Sequence, residues 1–105
     1  MIDAGSGLDA LAPFHPEAQA EMVAAARYYE EQRSGLGDDF LTQVEQALAV
    51  AIQYPSSGAP LGGGFRWVLT RRFRYAIVYR ELDRGIEVMA VAHLRRRPGY
   101  WRKRV

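Results

Sequence analysis

The chain contains no cysteine, which excludes a disulfide framework, a thiolate nucleophile and any thiolate metal ligand. Its only histidines are His15 and His93, and neither has a close carboxylate at ligand spacing, so no metal site and no cofactor are expected. Lysine is almost missing as well: Lys103 stands alone among fourteen basic residues, and the cationic surface is therefore one of guanidinium groups. No apolar run approaches the roughly 20 residues of a membrane span. No basic start leads into an apolar stretch as in a signal peptide. A cytoplasmic protein with no membrane partner is expected.

What is present fits one globular domain. With 105 residues, about half apolar and a quarter charged, the chain has enough length for one core, burying roughly 60 to 70 % of its unfolded surface. The modest net charge of +2 conceals a division. Residues 1–60 hold Arg27 and Arg33 against nine carboxylates, a balance of −7, while residues 61–105 hold twelve basic residues against three carboxylates, a balance of +9. Either the halves neutralise one another across the fold, or the arginine-rich half faces an anionic partner; arginine suits planar two-pronged contacts to carboxylate or phosphate.

The residues from Phe65 to Trp101 organise the rest. Three segments rich in β-branched and aromatic residues read as an antiparallel meander. Tyr75–Leu82 and Ile86–Ala92 form a hairpin around Asp83-Arg84-Gly85, with glycine free to take positive φ. Both parities of these strands are apolar at their centres, so both sheet faces are expected to be covered in part. Tyr75 and Tyr79 share a strand face, as core or interface aromatics. The basic stretch Arg95 to Arg104, interleaved with Tyr100 and Trp101, reads as the least core-like part of the chain. It is either a solvated tail or, since arginine beside aromatics marks interfaces and nucleic-acid sites, a contact surface; Tyr100 and Trp101 are set apart, because docked back on the sheet each buries on the order of 150 to 250 Å².

Upstream, residues 1–9 are small and polar and read as a flexible extension. Ala10–Phe14 reads as a short first strand that ends before Pro13 or lies at an edge. Pro16, tolerated in a first helical turn, and Glu17 begin a helix to about Gln32. Its apolar stripe is Ala18, Met22, Ala25, Ala26 and Tyr29, an alanine-rich face that permits close approach. After Ser34-Gly35-Leu36-Gly37, Asp38 and Asp39 open a second helix carrying Phe40, Val44, Leu48, Ala51 and Ile52, which stops at Tyr54-Pro55. The two helices are expected to form an antiparallel hairpin. Ser56–Gly64 reads as a turn-rich linker. Gly62-Gly63-Gly64 is no phosphate loop, because no helix and no Lys-Ser/Thr follow it. The fold class is thus α+β: an N-terminal helical hairpin packed on a small twisted antiparallel sheet, with a basic C-terminal tail.

The ordered set His15-Pro16-Glu17-Ala18, Tyr28-Tyr29-Glu30, Gly35-Leu36-Gly37 with Phe40-Leu41, Tyr54-Pro55, Arg72-Phe73, Tyr75 to Tyr79, and Ala90-Val91-Ala92-His93 leading to Arg96-Arg97-Pro98-Gly99-Tyr100-Trp101 resembles the ParE side of the RelE/ParE toxin superfamily. The likeness runs from about Pro13 to Arg104, within a single toxin domain spanning residues 10–105. It implies a toxin of a type II toxin–antitoxin module, a cognate antitoxin with an acidic amphipathic C-terminal segment, a toxin–antitoxin hetero-oligomer, and a target that is DNA gyrase or ribosome-bound message. RelE-type nucleases place an arginine directly after the tyrosine that opens the Tyr-x-x-x-Tyr strand, with lysines on the preceding strand; this chain has Ala76 there. Alanine neither stabilises charge at a scissile phosphate nor activates a 2′-hydroxyl, so a non-enzymatic inhibitor with no catalytic residues is expected, while Arg66, Arg71, Arg72 and Arg74 keep the ribonuclease alternative open. A third reading is a basic nucleic-acid-binding module, whose affinity falls steeply with salt. Candidate target-binding residues are Arg71, Arg72, Arg74, His93, Arg95, Arg96, Arg97, Tyr100 and Trp101. Candidate antitoxin-binding residues are Ala25, Tyr29, Arg66 and Arg80.

Overall fold

In the computed structural model, residues 12–104 are described. Two helices, α1 (Pro16–Gln32) and α2 (Leu36–Gln53), precede a 3-10 turn (Pro55–Ser57), four strands, β1 (Ala59–Gly62), β2 (Phe65–Leu69), β3 (Tyr75–Glu81) and β4 (Ile86–His93), and a C-terminal 3-10 helix (Tyr100–Arg104). The strands form one antiparallel sheet in the order β1-β2-β3-β4. This is the α+β architecture expected, with one strand more than the meander foretold.

Helix α1 starts where Pro16 and its cap place it: the His15 imidazole Nδ1 accepts from the Glu17 N–H at 3.1 Å. Helix α2 starts two residues earlier than Asp38 suggested, because its cap comes from outside. The N-cap residue, Gly35, sits at φ 89°, and the Glu30 carboxylate, from α1, accepts from the Gly35 and Gly37 N–H groups at 3.0–3.1 Å. A carboxylate there also complements the positive end of the helix dipole. At Gly37 the two helices nearly touch: an added Cβ would lie 2.6 Å from the Ala26 carbonyl oxygen. The Tyr-Tyr-Glu and Gly-Leu-Gly motifs are thereby explained as the joint of the helical hairpin.

Two expectations need correcting. The linker Ser56–Gly64 contains β1, an edge strand on β2 with an irregularity between Pro60 and Gly62. Proline and glycine hid it from a propensity reading, yet an edge strand tolerates both. The first strand expected over Ala10–Phe14 reduces to an isolated parallel bridge from Phe14 to Val88, flanked by hydrogen bonds of the Pro13 carbonyl and the His15 N–H to Val88; Ala10 and Leu11, like residues 1–9, lie outside the described residues.

The helical hairpin covers one sheet face. Ala18, Met22, Ala25, Phe40, Val44 and Leu48 pack there against Ile77, Tyr79, Ile86, Val88 and Val91. The opposite face carries a smaller cluster of Phe65, Val78, Met89, Ala90 and Trp101. A bulge divides β4 between them: Val78 pairs with Ala90 and Tyr79 with Val88, so Met89 has no partner on β3. The extra residue switches which parity faces the helices, which is why β4 is apolar at both parities.

At the C-terminus the aromatics take the docked alternative. Trp101 is 4 % exposed and meets Phe65 edge-on, with ring centroids 4.8 Å apart. The tail therefore closes the second core instead of trailing from it.

Candidate functional site

The β2–β3 turn and the loop after β4 meet at one end of the sheet. Tyr75 lies opposite His93, and the Leu94 N–H donates to the Arg74 carbonyl at 2.9 Å. The turn is held from within: the buried Thr70 hydroxyl donates to the Arg72 carbonyl and accepts from the Tyr75 N–H. Phe73 and Arg74 both take positive φ, 75° and 56°, a conformation that costs a non-glycine residue about 1–2 kcal/mol. Phe73 is pinned in it by an aromatic cluster, 4.6 Å from the Tyr29 ring centroid and 5.5 Å from that of Phe40. Arg71, Arg72 and Arg74 are exposed around it. Arg72 is partly neutralised by Asp39 at 3.8 Å. The turn that carries Arg71, Arg72 and Arg74 is thus joined to the loop that carries Arg95, Arg96 and Arg97 beside His93, while Arg71 lines a separate cleft against α2 with Gln43, Gln46 and Val50.

The second arm of this end is built on a residue the sequence reading missed, Glu21. Its carboxylate accepts two hydrogen bonds at 3.0 Å from the Arg104 guanidinium, one from the Tyr100 hydroxyl and one from the Val91 N–H on the outer edge of β4. Arg96 approaches the same carboxylate at 3.5 Å and stacks over Tyr100, its guanidinium carbon 3.9 Å from the ring centroid. Burial alone would raise the Glu21 pKa, but the hydrogen bonds from Arg104, Tyr100 and Val91 outweigh it and hold the carboxyl below its ordinary range. Tyr100 is pushed upward, first by burial and then by Glu21, so it remains a hydroxyl donor. A carboxylate at helical spacing between Ala18 and Ala25, at the edge of a buried stripe, was the available signal.

Behind this arm lies a cavity of about 360 Å³. Ala76, Val78, Ala92 and Trp67 line its sheet side, Leu94, Pro98 and Trp101 the loop side, and Arg96, Arg97 and Arg102 surround it. Trp101, one of the candidate target-binding residues, is a core residue walling this cavity and not a surface aromatic. His93 also borders the cavity. Its Nδ1 accepts the Arg95 N–H at 3.1 Å, so the neutral ring carries its hydrogen on Nε2. The neighbouring Tyr75 hydroxyl is pushed up to about 12, mainly by burial and then by Tyr29. No group of three or more metal-ligating side chains exists among the described residues.

The four antitoxin candidates are not gathered into one surface. Ala25 is buried in the helix-side core and Tyr29 is packed against it, so the alanine-rich face of α1 is occupied by the chain's own sheet and second helix. Arg66 lies opposite Tyr79 and Arg80 opposite Phe65, which puts them on different sheet faces. Arg66 donates to the Gly58 carbonyl at 2.8 Å and Arg80 pairs with Glu87 at 2.6 Å.

Among known proteins, a family model described as the ParE toxin of type II toxin-antitoxin system, parDE, matches residues 13–98. Toxin ParE2 of Mycobacterium tuberculosis, from strains CDC 1551 / Oshkosh and ATCC 25618 / H37Rv, is 30 % identical over 80 residues, covering 75 % of this chain and 76 % of the relative. No helix among the described residues is long and apolar enough to cross a membrane. The chain carries the helical hairpin, the antiparallel sheet and the ordered motifs on which the resemblance rests, and it belongs to the ParE toxin family of type II toxin–antitoxin systems.

Proposed function

We propose that the chain arrests growth by binding a protein target, DNA gyrase, through its arginine-bearing end, and that a cognate antitoxin with an acidic C-terminal segment neutralises it in a cytoplasmic hetero-oligomer. The observation that carries this reading is the composition of the floor and rim at that end. Ala76 occupies the floor, where a nuclease of the superfamily would present a cation. His93 offers an Nε2–H donor, not a free lone pair, while its Nδ1 is engaged, and Tyr75 stays protonated at neutral pH. The cation that stabilises charge at a scissile phosphate in RelE-type cleavage has no counterpart at position 76. What is concentrated instead is binding capacity: exposed guanidinium groups on a turn and loop that hydrogen-bond to each other, suited to carboxylate-bearing surfaces.

The test is a pair of assays on purified protein. Inhibition of gyrase supercoiling, lost when Arg95, Arg96 and Arg97 become alanine, is the expected result. Reproducible message cleavage on programmed ribosomes that vanishes when Arg72 or Arg74 is replaced would overturn it in favour of a ribonuclease.

A further inference from the structure

We infer that the cavity between the open sheet face and the loop after β4 receives one large apolar side chain from an acidic peptide segment, and that this is how the neutralising partner grips the toxin. The inference rests on the toxin reading above and adds the place and chemistry of recognition.

The cavity, at about 360 Å³, lies at the small end of the range for sites that enclose a ligand. It is deepened by small residues: Ala76 and Ala92, paired across β3 and β4, both line it where larger side chains would fill it. Its sheet and loop sides are apolar, while the charged groups around it are all arginine. Arg97 makes no ion pair within the described residues, and Arg102 spends its hydrogen bond on the Leu61 carbonyl at 2.6 Å, which leaves its charge without a carboxylate. A partner therefore gains most by combining one apolar anchor with flanking carboxylates. The chain itself shows the second half of that recognition, since Arg96 and Arg104 of this same segment already hold the Glu21 carboxylate.

A nucleic acid fits this site less well. Base stacking draws on several aromatic faces, and of the three aromatics lining the cavity only Trp67 is without a stacked partner among the described residues, since Arg96 and Arg104 lie over Tyr100 at 3.9 and 4.9 Å. Trp101 is buried between Phe65 and Arg102, the latter 4.7 Å from its centroid.

Both tryptophans of the sequence, Trp67 and Trp101, line the cavity, so intrinsic fluorescence reports its occupancy. The probe is a synthetic peptide of Asp and Glu around a single central phenylalanine, titrated into the full chain. A saturable emission shift is expected, with binding weakened about tenfold or more when the phenylalanine becomes serine, and likewise when the acids become amides. Ala76→Leu, which fills the cavity, should abolish the shift; should that variant fail to fold, Arg97→Glu on the exposed rim should still weaken binding about tenfold. Equal affinity for the serine peptide would overturn the inference, leaving charge alone. So would the absence of any shift, or an equal shift with a single-stranded oligonucleotide. The titration needs no growth arrest. A chain that arrests growth but ignores the peptide removes the cavity inference only, whereas a chain that binds the peptide but is harmless in cells removes the toxin function and leaves the site.

Discussion

Arg104 and Glu21, 83 positions apart, face each other in a two-pronged ion pair with both N···O distances 3.0 Å. Their side chains are 7 % and 14 % exposed, and a third Arg104 hydrogen bond reaches the Met89 carbonyl at the β4 bulge. Through this pair the C-terminal helix is tied to α1 and to the edge of β4, so one carboxylate fixes both the second core and the arch that carries Arg96.

Replacing Glu21 by Gln is expected to destabilise the fold by about 3 kcal/mol, in the range for breaking a buried ion pair from one side. Changing Glu21 to Leu and Arg104 to Met together is expected to cost less than the sum of the two single changes, since neither charge is then left alone. Urea unfolding of the parent, Glu21→Gln, the two single changes and the double variant measures both statements, and strict additivity would show that the pair is not coupled.

The same pair sets an acid limit. The Glu21 carboxyl is depressed below its ordinary 4.5, so its contribution to stability is complete above that value and is lost as pH falls through the lower folded pKa. Acid titration is therefore expected to release the C-terminal helix and expose Trp101, with a red shift of tryptophan emission below pH 4.5. That step should be missing in Glu21→Gln, where there is no carboxyl to protonate.

Trp101→Ala is expected to cost about 3–5 kcal/mol, as for other buried aromatics. Changing Arg95, Arg96 and Arg97 together to alanine should cost within about 1 kcal/mol, because these side chains are exposed and the Arg96–Glu21 contact is a long one. Thermal melts separate the two variants. In cells the arginine variant is expected to stay folded and no longer arrest growth; full toxicity would move the site to the β2–β3 turn.

At that turn, Arg74→Gly is expected to raise stability by about 1 kcal/mol by relieving the positive φ, while weakening growth arrest. A variant neither more stable nor less toxic would show that the turn is unstrained and that Arg74 plays no part in target binding.

Tyr79 offers a check on the other end of the fold. Its hydroxyl donates to the Pro55 carbonyl at 2.7 Å and accepts the Gly58 N–H at 3.1 Å, locking the 3-10 turn onto β3. Tyr79→Phe should cost about 1–3 kcal/mol by orphaning a buried N–H. Gly58→Ala should be worse than an ordinary surface change, since a Cβ would stand 2.3 Å from that oxygen. Calorimetry decides both.

What the sequence determined by itself is what short-range physics encodes. The 3.6-residue stripes of Ala18-Met22-Ala25 and Phe40-Val44-Leu48, the prolines at 16 and 55, and the glycine of Asp83-Arg84-Gly85 each act within a few residues, and they placed both helices and the central hairpin. In the sequence the β2–β3 turn and the Arg95–Arg104 stretch stand as separate candidates; their meeting follows from the pairing of Tyr75 with His93 and of Leu94 with Arg74. Tertiary structure alone decided the rest. The strand Ala59–Gly62 exists because β2 offers it a partner, not because Pro60 and Gly62 favour it. Helix α2 is capped by Glu30 of the other helix, and Met89 is left over only once β3 and β4 take their register. Tyr100 and Arg104 find Glu21 across 79 and 83 residues, a distance over which no local pattern carries information. A run of arginine and aromatics reads equally as a tail, a contact surface or a docked segment until the sheet supplies an apolar face and α1 a carboxylate, which bury Trp101 and hold Arg104 while Arg95, Arg96 and Arg97 stay exposed.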